Sequence, residues 1–599
     1  MSKFFSIAAT GFAGMDSTSG LESLSPGVNK PAVCFLSVAE NVRCSFSGGI
    51  ASRPGFERTA VLSSPAKVHS IRSMNIYDST GRIEVMFGKK GTQIQQSLDG
   101  TTWYDIGVTR TTGERDFIFP AGKDMFSTNV TDSYLRIAPS TIGAALAAAA
   151  TTITIRVGDI GQFAASGTVY INGTAYAYTG VNSGASTLTT VTEGGNPVAT
   201  AQPINSVVTQ TTTPSGAPKG SCAATLGTGA GYVVLVGGVA STNPSSISYS
   251  DIATLANPEL GYAFSGGSSG TKLMPAPVQA LIGGERGVLI GTSRGIHQVT
   301  SFSSGLVTTE SHPFHGVPNA FCMCVMEKDI VVLTNEGRVL RYGQSDAGFS
   351  LMEDPRRPKT AFDYQIQGYV QANRDADQSL AYIFANPARR ELVAAISCNG
   401  LLKEFVCQWD IGAWTTDNGK NFACRTMFKG EVFAGADDTS GEIYKDNVGN
   451  ADMVQGVTVP IISRITTGKI RLSMDGMTGD FLMHNFGGLL SQDGQFKMRI
   501  IVNGTQVVNE IVEASDLISR GLMELGAGVP IGGGQIGAEG IGSGGTQLSG
   551  YPFTCPYEFG EEGEAIQFEW EVIQEGSAME LRFFKCDGET SGEILQNRL

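Results

Sequence analysis

Histidine is scarce in this chain. Five occur among 599 residues, at positions 69, 297, 312, 315 and 484, and tryptophan occurs four times. No H-E-x-x-H, Walker or C-x-x-C pattern is present, which removes the usual signs of zinc-protease, nucleotide and thiol-redox chemistry. His312-Pro313-Phe314-His315 holds a close histidine pair. A metal site asks for more ligands, usually with a carboxylate or cysteine partner, and the turn imposed by Pro313 accounts better for the segment. The sequence therefore assigns no catalytic, cofactor-binding or metal-ligating residue, and no cofactor is expected.

Long apolar runs are missing as well. No stretch approaches the ~18 residues of a membrane-spanning helix. The N-terminal MSKFFSIAATGFAGM has a short apolar core, Phe4–Ala9, so use without Sec-type export is expected. Ten cysteines (34, 44, 222, 322, 324, 398, 407, 424, 555 and 586) show no framework spacing. They are expected as buried thiols made in a reducing cytoplasm. Cys322 and Cys324 lie two apart, which in a strand means one shared face and a place in the core.

Charge is sparse, at 16% of residues, and its balance is negative, with a formal net charge of −14. A protein that grips nucleic acid by counterion release needs lysine and arginine clusters. An acidic wall instead suits a surface past which DNA slides without sticking. The 56 acidic residues leave carboxylate pairs available, and two carboxylates suffice for glycoside hydrolysis. The strip Glu561, Glu562, Glu564, Glu569 and Glu571 is read as solvated or lumen-facing.

What is abundant is glycine, 77 residues, beside a hydrophobic content of 41%. That is turn-dense all-β composition with enough apolar surface to offset chain entropy. One phrase recurs. In DIVVLTNEGRVLRYG (Asp329–Gly343) an apolar run meets an Asn/Gly turn and a second strand leaves it. The phrase returns at Arg82–Ser97, Tyr232–Ser250, Gly287–Thr300, Glu391–Asp410 and Gly430–Asp446. From Gly287 onward the spacing is roughly 40–60 residues, the length of one four-stranded propeller blade.

The expected architecture is all-β: a β-propeller with an inserted small β domain and a C-terminal β-sandwich. Residues 1–60 read as an N-terminal arm, and 61–138 and 214–455 as propeller blades. Residues 139–213, nearly free of charge, read as the insertion, with a hairpin signal at Asn172-Gly173. Residues 456–599 read as the sandwich, carrying a Gly-rich loop, Gly526–Gly550. Ser97-Leu98-Asp99-Gly100-Thr101-Thr102-Trp103 is one residue short of the Asp-box of sialidase propellers. In that device the aspartate closes a turn and the tryptophan packs between blades. Trp409 and Trp414 are expected to pack between blades as well.

Gly48-Gly49-Ile50, Arg53-Pro54-Gly55-Phe56-Glu57-Arg58 and the stretch 217–260, with this domain order, resemble the tail nozzle (tail tubular protein B-like) family of short-tailed bacteriophages. The glycines and Pro54 permit a sharp turn. Arg53 and Arg58 are then placed to pair with acidic groups of a neighbouring chain or blade. The resemblance implies a structural virion tail protein and no enzyme. It implies a homo-oligomeric ring, a hexamer, below the portal and adaptor, beside tail fibres or tailspikes, with viral DNA passing through without specific binding. Contact with the host cell surface is a further expectation, and the chain would reach the virion tail after synthesis in the host cytoplasm. The ring's bore is expected to carry more acidic than basic residues. Two alternatives stand beside this one. A receptor- or glycan-binding tail protein would use aromatics such as Tyr170, Tyr176 and Tyr178, and a propeller-type polysaccharide-degrading glycosidase would use a carboxylate pair.

Overall fold

The two-strand phrases become the middle strands of propeller blades. In Asp329–Leu333 and Val339–Ser345, Ile330 pairs with Tyr342 and Val332 with Leu340, and all five residues of the first strand are buried. A blade is covered on both faces by its neighbours, so its inner strands need unbroken apolar runs rather than alternation. The computed structural model describes residues 3–18, 32–44, 48–62, 66–228, 231–239, 243–252, 262–265, 267–284, 287–302, 305–312, 315–345, 348–352, 361–449, 451–471, 478–523, 525, 529–530, 549–572 and 577–590.

Seven blades follow one another among these residues. Blade 1 is Val68–Tyr77, Arg82–Lys90, Gln93–Ser97 and Tyr104–Thr109. Blade 2 is Phe117–Ala121, Asp124–Thr128, Leu135–Thr141 and Val207–Thr212. Blades 3, 4 and 5 start at the inner strands Cys222–Thr228, Val278–Gly284 and Met323–Met326, and blade 6 runs from Tyr382–Asn386 to Ala413–Asp417. Blade 7 takes Phe422–Phe428, Glu431–Ala436 and Glu442–Asp446 and is completed by Phe56–Val61, from near the N-terminus. Each inner strand packs on the next, and Val68–Tyr77 packs on Phe422–Phe428. Because the closing strand comes from the opposite end of the chain, the ring cannot open without breaking a sheet.

The described residues of 1–60 are therefore not an extended arm. Lys3–Met15 pairs antiparallel with Met579–Thr590 and parallel with Ala32–Glu40. Ala32–Glu40 in turn pairs with Arg464–Thr467. These strands sit in the middle of the C-terminal sheet, between Gly479–Ser491 and Ser549–Gly563 on one side and Ala565–Val572, Gln495–Val502 and Thr505–Glu513 on the other. The sheet folds over an aromatic core as a sandwich. Phe553 and Phe496, from strands far apart in the sheet order, meet with ring centroids 5.9 Å apart. Gln495–Val502 alternates half-buried and buried at every residue, the period of a strand with one face in a core. The hairpin to Thr505–Glu513 turns on Asn503 and Gly504, at φ +51° and +85°, as the Asn-Gly letters require.

The sandwich is also joined to the propeller. Gly14 pairs with Trp414 of blade 6 and Glu40 with Thr416. Gly14 has φ +84°, and a Cβ there would stand 2.6 Å from the Trp414 carbonyl oxygen. Only glycine lets the two backbones approach this closely.

The insertion spans 142–206, inside the expected 139–213, since 139–141 and 207–212 belong to blade 2. It has its own core, including Ile155, Val169, Tyr176 and Leu188. Its hairpin, Gly167–Ile171 and Thr174–Tyr178, extends the blade through Val169 opposite Gln210. Blade 7 likewise runs past residue 455, into the hairpin Ala451–Val454 and Val457–Pro460. Most of the Gly-rich loop (526–528 and 531–548) and Pro313-Phe314 lie outside the described residues.

Candidate functional site

The turn permitted by Gly48, Gly49 and Pro54 delivers two arginines into the seam between blades 6 and 7. Arg43 donates from both terminal nitrogens to the two carboxylate oxygens of Asp417, each at 2.6 Å. Arg53 does the same to Asp452 at 2.8 and 2.6 Å, and its Nε donates to Asn41 Oδ1 at 3.0 Å. Lys420 bridges Asp417 (3.2 Å) and Asp446 (2.8 Å). Arg425 joins Asp446 (3.0 Å) to Glu404 (2.8 Å), and the Tyr382 hydroxyl donates to Glu404 at 2.5 Å. Arg58, further along, pairs with Glu442 at 3.0 Å. The partners of Arg53 and Arg58 are thus acidic residues of the same chain's last blade and its extension.

Apart from the Arg58–Glu442 pair, the network Arg43, Arg53, Asp417, Lys420, Asp446, Asp452, Arg425, Glu404 and Tyr382 is buried throughout. Burial alone would raise the Asp417 and Asp446 carboxyls. The surrounding cations outweigh it, holding Asp417 far below the usual carboxylate range and Asp446 at about 2. Glu404 is raised by burial, with Arg425 opposing. Bidentate arginine pairs are strong and directional, and removing one partner of a buried pair strands the other. The network fixes how the N-terminal segment enters the propeller.

The second feature is the axial channel. A cavity of about 690 Å³ is lined by the inner strands of all seven blades, and no aspartate or glutamate is among its lining residues. Its walls mix apolar residues such as Phe117, Phe321 and Phe384 with polar ones such as Ser70, Thr225 and Arg425. Arg72 is among its lining residues, exposed to the channel and without an ion-pair partner among the described residues. Arg115 lies over the Phe321 ring at 3.6 Å and donates to the carbonyls of Ala423 (2.6 Å) and Ser379 (3.3 Å). His69, beside this group, is held down to about 4 by burial and by Lys89, Arg115 and Lys67.

The other residues marked by the sequence fall in structural places. Asp99 accepts from the Thr101 and Thr102 amides at 2.8 and 2.7 Å, closing a turn, and Trp103 packs where blade 1 meets blade 7. Trp414 is fully buried and donates to the Phe362 carbonyl at 3.0 Å. Tyr176 and Tyr178 are not available for stacking on sugars. Both are buried, and their hydroxyls donate to the Thr200 and Ala164 carbonyls at 2.8 and 2.7 Å. Of the acidic strip, Glu561, Glu562 and Glu564 are exposed. Glu569 pairs with Arg464 (2.9 Å) and Arg499, and Glu571 with Arg499 (2.7 Å). His315 sits 3.2 Å from Glu336. Cys322 is buried and Cys324 faces the channel wall. Residues 291–295, GTSRG, spell G-x-S-x-G, but they form the tight turn before Ile296–Phe302 of blade 4. The nucleophile pattern needs a strand leading into a helix.

Two arrangements were not legible in the sequence. The Arg43–Asp417 pair joins residues 374 positions apart, and no spacing rule reaches that far. The gathering of Arg72 and Arg115 depends on which strand of each blade is innermost.

No protein-family model matches the chain, and no curated protein matches it. Among solved structures it is similar to the Pan2 WD40 domain of Neurospora crassa, at 7% identity and TM-score 0.34, covering 66% of this chain and 96% of that one. It is similar to Saccharomyces cerevisiae Sqt1 at 9% identity and TM-score 0.32, covering 68% and 99%. An exo-beta-1,3-galactanase from Phanerochaete chrysosporium is similar at 8% identity and TM-score 0.22, covering 90% and 100%. The propeller assignment rests on this chain's own sheet order.

Proposed function

We propose that this protein is a structural component of a virion tail, a nozzle-type ring of identical copies below a portal and adaptor through which DNA leaves the particle. The observation that carries the reading is an open sheet edge on a locked body. Val457–Pro460 is the last strand of the blade 7 sheet, and all four of its residues are exposed. Val457 is 64% exposed, and Ile462 just beyond it is 50% exposed. The strand is short and ends at Pro460, two features that blunt an edge, but it carries no charge. An edge left apolar at Val457 and Val459 suits a neighbouring copy, and a head-to-tail contact repeated by rotation closes a ring.

Two other properties favour a conduit. The net charge of −14 repels phosphate rather than holding it. The N-terminal strands tie propeller and sandwich together, which suits a load-bearing part. Tail fibres or tailspikes and a host surface are the further partners of this reading. The glycosidase alternative needs two carboxylates flanking a cleft, and the axial channel has none among its lining residues. Of the three tyrosines of the receptor-binding alternative, Tyr176 and Tyr178 are buried and Tyr170 is half-buried.

The test is negative-stain imaging of the purified protein, with Val457→Lys/Val459→Lys beside it. Closed rings are expected for the native sequence and dispersed single copies for the charged variant. A native protein that stays monomeric and cleaves polysaccharide would favour the enzyme alternative.

A further inference from the structure

The sandwich sheet ends on two long strands. Among the described residues, Thr505–Glu513 pairs only with Gln495–Val502, and Ser549–Gly563 beyond Thr554 pairs only with Gly479–Ser491. These two edges face each other along a seam that no backbone hydrogen bond closes among the described residues. The Tyr557 hydroxyl donates across it to the Glu510 carboxylate at 2.6 Å. Glu510 stands opposite the buried Met498, so it lies on the core-facing side of the sheet, yet it is exposed. A carboxylate on that side reaches water only where the core is left unroofed. Val512, Tyr557 and Phe559 are the partly buried residues at this opening. Its rim is acidic, with Glu510, Glu558, Glu561 and Glu562 all exposed, and Arg520 is the cation beside Cys555.

We propose that this seam binds an extended basic segment of a partner protein, which adds as a strand to the free edge of Thr505–Glu513. An added strand draws affinity from open backbone groups and specificity from alternate side chains. Thr505–Glu513 offers nine residues without a proline. The segment's apolar side chains rest on Val512, Tyr557 and Phe559, and its lysines or arginines meet the rim carboxylates. The same carboxylates argue against a second copy as the occupant. Charge on an edge, and Pro556 on the facing one, are devices against self-pairing. In a chain of net charge −14, they repel a like-charged strand and attract a basic one. The uncharged edge at Val457–Pro460 has no such preference. This inference is independent of the ring reading, since it concerns the sandwich of a single copy.

The test is fluorescence-anisotropy titration of the full chain with a labelled peptide of alternating lysine and valine. Two control peptides accompany it. One carries glutamate in place of lysine, and the other keeps lysine and valine but is N-methylated at its backbone amides, so it cannot add as a strand. Saturable 1:1 binding of the lysine peptide is expected, with slowed hydrogen exchange at residues 505–513 and both controls weaker by about tenfold or more. Glu558→Gln/Glu561→Gln/Glu562→Gln changes only exposed side chains and should keep the native melting temperature. It should weaken the lysine peptide about tenfold, the sum of three exposed charge pairs. The proposal is overturned if the lysine peptide does not saturate, or if the triple variant binds it as tightly as the native chain. Equal binding of the N-methylated peptide removes strand addition, and equal binding of the glutamate peptide removes the charge requirement. Either result, or protection confined to the propeller, also contradicts it.

Discussion

Asp417 is the residue on which most of the closure network converges, accepting from Arg43 and standing 3.2 Å from Lys420 and 3.8 Å from Arg53. Asp417→Asn keeps the shape and removes the charge, leaving three buried cations short of a partner. It is expected to cost about 3–5 kcal/mol in urea unfolding. The pH dependence has a definite sign. Asp446 titrates at about 2 in the folded chain against an ordinary 3.8, and Asp417 is lowered further. The unfolded chain takes up these protons first, so the contribution is complete above about pH 4 and is lost as pH falls toward 2. His484 acts in a higher window. Its ring stacks on Phe568 at 4.1 Å inside the sandwich, and burial pulls it from 6.5 to about 3. Its contribution is intact above pH 6.5 and is lost as pH falls from there toward 3, at up to about 1.4 kcal/mol per pH unit. Unfolding measured across that window should show a flatter pH slope for His484→Phe than for the native chain.

At the level of elements, visibility in the sequence follows burial. The middle strands of blades announce themselves because two covered faces demand runs such as Ile330-Val331-Val332-Leu333. The closing strand Phe56–Val61, FERTAV, buries only Phe56 fully, so its letters look like loop although it seals the ring. Lys3–Met15 has Gly11 and Gly14 interrupting its apolar pattern, and Gly14 is required by its close contact with Trp414. Those glycines made a central strand read as an arm. The helix Tyr364–Asn373 between blades 5 and 6 buries only Ile366, Gln367 and Val370, too few to set a period in the sequence. The insertion was visible by composition, and its position makes a prediction. Thr141 and Val207 are paired across blade 2, so replacing 142–206 with a two-residue Asn-Gly turn should leave the blade intact. Circular dichroism of the propeller should be retained, with a loss under about 2 kcal/mol. A collapse of the cooperative transition would mean that the insertion helps hold the blades.

For the whole molecule, the decisive property is how copies meet. The chain is a seven-bladed ring and a sandwich fastened by shared strands, with an exposed, uncharged edge at Val457–Pro460. Neither the edge's partner nor the channel's charge could be read from the letters, because both depend on which strands end up outermost or innermost. The most direct test is the native mass of the intact protein in solution. A closed assembly at a fixed multiple of 63.0 kDa, with rotational symmetry and an acidic bore, is the expected result. A single 63.0 kDa species across the working concentration range, or an assembly whose bore is basic, would contradict the account.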